Sequence, residues 1–205
     1  VEEGEPPRTL ADVDVNVMID FPDKKYKIIL ADPPWTYNDK ALAGRRGAGC
    51  KYDLMTLDDL GKLPVSQIAD KDCVLFMWCT WPQIEGGLDL IKRWGFQYKT
   101  KAFTWIKTNP NGTLFMGMGG WTRSNDEFIL LATKGKPKRI NAGINSVILS
   151  PIQEHSKKPN IFRTKIIELM GDLPRIELFA RTRVNGWDTI GNDEKLKLEP
   201  LEEYF

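Results

Sequence analysis

The chain has 205 residues, 41% hydrophobic and 28% charged, which suffices for one well-formed core in one domain. A net charge of +1 excludes nucleic-acid binding through average charge, so any basic surface must be local. Three cysteines without CxxC spacing and one histidine argue against a zinc site and a disulfide framework, and no apolar run could span a membrane, so a cytoplasmic protein is expected.

Residues 1–22 are acidic and proline-containing, with a short alternation at Val13-Asp14-Val15-Asn16-Val17, and read as a tail or an added edge strand. A catalytic domain is expected over 23–193 and a C-terminal tail over 194–205. Tyr26-Lys27-Ile28-Ile29-Leu30-Ala31 reads as a short buried strand. Asp32-Pro33-Pro34-Trp35 follows directly. Neither proline can donate a ladder hydrogen bond, so the strand ends there in a stiff turn. Residues 36–52 form a polar, glycine-rich loop, basic at Arg45, Arg46 and Lys51. Thr56 is placed to cap a helix with Asp59 at its third position, and a short helix is expected near 65–69.

Cys73-Val74-Leu75-Phe76-Met77-Trp78-Cys79 is continuously apolar, as a central strand is. Residues 82–94 read as a helix that starts at Pro82 and stops at Gly95. Residues 96–107 alternate like a strand, and 108–125 form a second glycine-rich loop carrying Trp121. Residues 128–133 are a further strand; 134–158 are loop-rich and basic at Lys134, Lys136, Lys138 and Arg139. Residues 160–170 read as a helix closed by Gly171, and 175–180 as a last clear strand. Strands alternating with helices predict an α/β fold with a doubly wound, mostly parallel sheet.

In such sheets ligands bind beyond the C-terminal ends of the strands, where Asp32 stands. An acid, rigid backbone carbonyls and an aromatic ring held in one turn suit an exocyclic amine on a planar base. Such an amine must become more tetrahedral to attack a methyl sulfonium. Asp32 can accept from one N–H and the Pro33 carbonyl from the other, while Trp35 stacks on the ring. No metal is needed, and an adenine in a duplex must first swing out. The same four residues also read as a plain strand-ending turn with a packed tryptophan. A basic loop, likewise, reads either as a grip on phosphates flanking such a base or as a solvated face.

Ala31-Asp32-Pro33-Pro34-Trp35 is followed in order by Leu75-Phe76-Met77-Trp78, Trp105-Ile106-Lys107-Thr108-Asn109, Gly120-Trp121-Thr122-Arg123-Ser124-Asn125 and Lys134-Gly135-Lys136-Pro137. His155-Ser156-Lys157-Lys158-Pro159, Glu177-Leu178-Phe179-Ala180-Arg181, Gly186-Trp187-Asp188 and Gly191-Asn192 complete the series. Each stretch alone is weak; their order and spacing are specific. The chain resembles the MT-A70 family of S-adenosylmethionine-dependent adenine-N6 methyltransferases, and most closely its compact bacterial and phage members, which act on DNA.

The resemblance implies a Rossmann-like methyltransferase fold with long active-site loops, and S-adenosyl-L-methionine as cofactor. It implies a catalytic turn at Asp32, Pro33, Pro34 and Trp35. It places Asp32, Lys158, Phe179, Arg181, Asn192 and Asp193 at the cofactor, with Lys158 on its methionine carboxylate. On the bare sequence Phe179 reads equally as core. Tyr37, Arg45, Arg46, Tyr52, Lys107, Asn109, Trp121 and Arg123 are the candidate substrate contacts, and Tyr52 reads either as a gate over the base or as a loop anchor. His155 is expected to shape the loop that carries Lys158. The expected partner is nucleic acid, DNA ahead of RNA, with no membrane, and with room for a homodimer or a partner subunit. The rival readings are the same reaction on RNA and a non-catalytic scaffold subunit. A nicotinamide oxidoreductase lacks its glycine fingerprint here, because Gly117, Gly119 and Gly120 precede a strand instead of following one.

Overall fold

The apolar run at Tyr26–Ala31 forms a strand buried at every position except Lys27. The computed structural model describes residues 21–35, 54–153, 157–191 and 197–199. In chain order its elements are β1 (Tyr26–Ala31), α1 (Leu57–Lys62), α2 (Val65–Ile68), β2 (Ala69–Cys79), a 3-10 turn (Trp81–Gln83), α3 (Ile84–Arg93), β3 (Gln97–Thr108), β4 (Asp126–Lys134), β5 (Val147–Pro151), α4 (Ile161–Met170), β6 (Arg175–Ala180), β7 (Thr182–Val184), β8 (Asp188–Gly191) and β9 (Lys197–Glu199).

Side chains alternate faces along a strand, so a run apolar at every position must be covered on both sides. That is the case here. Ile29, Leu75 and Met77 enter one core with Leu60, Val65, Leu90 and Ile91 from α1, α2 and α3. Ile28, Leu30, Val74, Phe76 and Trp78 enter the other with Phe162, Ile166 and Met170 from α4. The Trp78 indole meets the Phe162 ring edge-on at 4.8 Å, a favoured aromatic geometry. Helices therefore pack on both faces of a seven-stranded sheet of order β5-β3-β4-β2-β1-β6-β8, a Rossmann-like arrangement.

Strand direction decides what shares an edge. β1 runs parallel to β2 and β6, β6 to β8, and β3 to β5. β4 alone is reversed, antiparallel to both β2 and β3. The reason is that residues 109–125 contain no helix to carry the chain across a face, so it returns as a hairpin. The C-terminal ends of β1, β2, β3 and β6 thus lie at the same edge as the start of β4.

Some local expectations are met and some are corrected. Thr56 caps α1: its hydroxyl accepts from the Asp59 N–H at 3.1 Å and donates to the Asp59 carboxylate at 2.6 Å. Thr56→Ala is expected to cost about 1 kcal/mol, read as a lower denaturant midpoint at unchanged slope. Trp94 caps α3, and its indole N–H donates to the buried Leu60 carbonyl of α1 at 2.8 Å. The strand β5 lies inside the stretch read as loop. It is short and at the sheet edge, with Val147 and Leu149 half exposed or more, so its pattern lacks the buried face that marks a strand. The alternation at 13–17 lies outside the described residues. Among the described residues no helix is long and apolar enough to cross a membrane.

Candidate active site

The turn after β1 is tied down by its own backbone. The Asp32 N–H donates to the Leu178 carbonyl of β6 at 3.4 Å. The Trp35 N–H donates to the Pro33 carbonyl at 2.9 Å, closing a turn around Pro34, whose fixed φ suits that central place. The Pro34 carbonyl accepts from Met55 at 3.0 Å. Trp35 bridges to Met55 and packs inward as part of the first core cluster, 7% exposed. Trp35 is therefore a packed side chain. The ring anchors the turn and leaves the Asp32 carboxylate and one lone pair of the Pro33 carbonyl for other partners.

Asp32 meets Lys158, 126 residues away, through both carboxylate oxygens, at 3.0 and 2.9 Å from Nζ. Lys158 also stands 3.4 Å from Glu127, and Glu127 in turn binds Lys107 at 2.5 Å. The result is a row of alternating charge, Asp32–Lys158–Glu127–Lys107. The Lys158 ammonium lies 5.3 Å over the Trp78 ring and the Lys107 ammonium 5.2 Å over Trp105. These side chains are nearly enclosed, at 12–17% exposure, and charges so placed survive only when paired. Burial opposes the charge on Lys158, but the Asp32 and Glu127 carboxylates outweigh it and hold its pKa above that of an ordinary lysine. Burial likewise opposes the charge on Glu127. Lys158 and then Lys107 outweigh it and hold the carboxyl below the usual glutamate range.

Beside this row a small cleft is lined by Asp32, Lys158, Arg163, Glu177, Phe179 and Arg181, among others. Phe179 has φ +62°, a left-handed conformation rare for a bulky residue, and it stands where the β6–β8 register slips between Leu178 and Ala180. Strain of this kind, about 1–3 kcal/mol, collects at ligand sites. Below it, Arg163 and Glu177 form a buried two-pronged ion pair, with both bonds at 2.7 Å, and Arg163 also donates to Asn160 at 2.6 Å.

The fold thus brings together Asp32, Pro33, Lys158, Phe179 and Arg181, all expected from sequence. Lys107 joins them as the partner of Glu127. Asn109 folds its own loop, its amide hydrogens going to Thr113 Oγ1 and the Leu114 carbonyl. Trp121 and Arg123 are exposed on the 109–125 loop. Tyr37, Arg45, Arg46, Tyr52, His155, Asn192 and Asp193 lie outside the described residues. The basic stretch at Lys134, Lys136, Lys138 and Arg139, read either as a phosphate grip or as a solvated face, starts far from the Asp32 turn. Cys73 pairs with Lys134 and Cys79 with Phe128, so the basic stretch begins at the opposite edge of the sheet, roughly 20 Å from the Asp32 turn. Sequence reasoning missed Glu127, Arg163 and Glu177. Each looks like a surface charge in its own window; the pairing register of the strands encloses Glu127 and Glu177, and the packing of α4 buries Arg163.

Comparison with known proteins gives the family. The MT-A70 family model matches residues 26–193. The chain is 36% identical over 189 residues to the Type II methyltransferase M.MunI of Mycoplasma sp, covering 83% of this chain and 78% of that protein. It is 30% identical over 173 residues to the N(6)-adenosine-methyltransferase MT-A70-like protein of Drosophila melanogaster, covering 82% of this chain and 27% of that protein. For the N(6)-adenosine-methyltransferase catalytic subunit METTL3 of Homo sapiens the identity is 28%, with 82% of this chain and 28% of that protein covered.

Proposed function

The chain belongs to the MT-A70 family of adenine-N6 methyltransferases, and we propose that it methylates the N6 amine of adenine in DNA at the Asp32 turn, with S-adenosylmethionine as donor. The observation that carries this reading is the meeting of Asp32 with Lys158 at the C-terminal edge of the parallel strands. Two residues far apart in sequence, one suited to an amine and one to a carboxylate, face the same cleft.

The residues present fit the cofactor. Lys158 is a charged ammonium at a cleft wall, as a methionine carboxylate requires. Asp32 and Glu127 supply negative charge beside it, as a sulfonium requires. The strained Phe179 gives an apolar wall for a nucleoside, and Arg181 lines the same cleft. Asn192 and Asp193 belong to this set through the family resemblance. The bound cofactor supplies an electrophilic methyl group. The protein supplies position and electrostatics: the Asp32 carboxylate accepts from one N6–H, the free lone pair of the Pro33 carbonyl from the other, and the amine nitrogen is held toward the donor. Asp32 takes up the amine as Lys158 turns to the cofactor carboxylate, while Glu127 keeps the ammonium in place.

Support for DNA comes from the resemblance around Trp121 and Phe179 and from the bacterial relative, which this chain matches over most of its length. The insect and human relatives, named for N6-adenosine, keep RNA as the second reading. Transfer of labelled methyl from S-adenosylmethionine to adenine-containing duplex DNA, single-stranded DNA and RNA tests the choice. Label on DNA is expected. Label on RNA alone overturns the DNA reading, and no label together with no cofactor binding leaves the scaffold reading.

Lys158→Met keeps the length of the side chain and removes its charge. Cofactor affinity measured by calorimetry is expected to fall roughly 10- to 100-fold, from the ~1.5–3 kcal/mol of a hydrogen bond to a charged group. Unchanged affinity would remove Lys158 from the cofactor site.

A further inference from the structure

The loop between β3 and β4 rises from the same edge as the Asp32 turn, directly between Lys107 and Glu127. It is folded rather than slack. The Phe115 N–H donates to the Lys107 carbonyl at 2.9 Å, and the Lys107 N–H donates to the Asn125 carbonyl at 2.8 Å. Its two legs press together backbone to backbone. A Cβ on Gly117 would fall 1.9 Å from the Ser124 carbonyl oxygen, and one on Gly119 would fall 2.0 Å from that of Thr122. Only glycine allows this approach. The product is a thin crest, and its outer side chains are apolar: Met116 is 73% exposed, Met118 91% and Trp121 103%. From 108 to 125 the sole charged residue is Arg123.

A narrow, preformed, apolar projection with a cation and no anion fits one kind of surface at this place: stacked bases framed by phosphates. An adenine that reaches Asp32 from a duplex leaves a gap in the stack, and apolar side chains inserted between bases are a general way to open and hold such a gap. Resting on the DNA reading above, we propose that residues 116–121 are a wedge that enters duplex DNA beside the target adenine, Trp121 and Met118 filling the space it vacates while Arg123 meets the backbone. The wedge makes the duplex, rather than a single strand, the substrate.

The test compares the wild type with the double variant Met118→Ala/Trp121→Ala, whose altered side chains are exposed and outside both cores. Sequencing of methylated genomic DNA first locates a target site. That site is then built into a matched 24-bp duplex and into one carrying a mismatch opposite the target adenine. On the matched duplex the variant is expected to lose roughly tenfold or more in single-turnover methyl transfer, the scale of one lost aromatic stacking contact. On the mismatched duplex, where the base is already loosened, it is expected to stay within about twofold of wild type. The fluorescence rise of 2-aminopurine placed at the target is expected to shrink in the variant. Equal losses on both duplexes overturn the wedge, as does full activity on the matched one. A fall in solution mass with transfer unchanged also overturns it, and assigns the crest to a second copy of the chain. A wild type that methylates no DNA site fails at the first step, which removes the DNA reading itself and the wedge with it.

Discussion

Asp32→Ala is expected to abolish detectable methyl transfer, a loss of at least about 10²–10³-fold in kcat, while the protein still folds and binds S-adenosylmethionine. In the proposed mechanism Asp32 accepts from one N6–H, and the Pro33 carbonyl cannot replace it because Trp35 uses one of its lone pairs and the second N6–H takes the other. Removing the carboxylate also frees Lys158, which keeps Glu127 as a partner at 3.4 Å, so cofactor binding by calorimetry should persist. Asp32→Asn keeps an acceptor oxygen and the shape of the turn but not the charge, and is expected to fall between alanine and wild type. Turnover by the alanine variant at the wild-type rate would end the assignment of Asp32.

Glu177→Ala is expected to have the largest effect on stability. It leaves the Arg163 guanidinium, at 5% exposure, without its carboxylate in the floor of the cleft. Stranding one member of a buried ion pair costs about 3–5 kcal/mol, against a total of about 5–15 kcal/mol for a typical domain. Much of the variant should therefore be lost to unfolding at 37 °C, with its denaturant midpoint sharply lowered. Replacing both members by apolar residues of similar size is often neutral, so Arg163→Met/Glu177→Leu is expected to recover most of the loss. If Glu177→Ala unfolds within 1 kcal/mol of wild type, the pair does not hold up the cleft floor. The two cases separate cleanly: Asp32→Ala removes chemistry from a stable protein, and Glu177→Ala removes stability beneath intact chemistry.

The crest and the charge row answer different questions. In the proposed function, Asp32, Lys158 and Glu127 hold an amine and a donor. In the proposed wedge, the exposed Met118 and Trp121 let a base leave a duplex to reach them. Both features hang on β3 and β4, whose hairpin places Lys107, the loop and Glu127 side by side.

Elements governed by near neighbours were legible in the sequence. A run apolar at every position gave β1 and the inner half of β2, because alternation onto two covered faces needs nothing beyond that run. Two prolines stopped β1, Thr56 capped α1, and Gly95 and Gly171 closed α3 and α4, since each acts within one turn of chain. The ordered motifs from Asp32 to Gly191 carried the family and, with it, Lys158, Phe179 and Arg181. The tertiary structure alone decided which of these residues meet. Whether Glu127 faces Lys158 and whether the basic stretch at 134–139 lies beside the site or across the sheet from it depend on strand order and on the reversed direction of β4, and whether Trp35 points into the core depends on the segment at Met55 that the turn meets. Those are relations between segments 20 to 126 residues apart, settled by the burial of two cores at once, and no local window of sequence contains them.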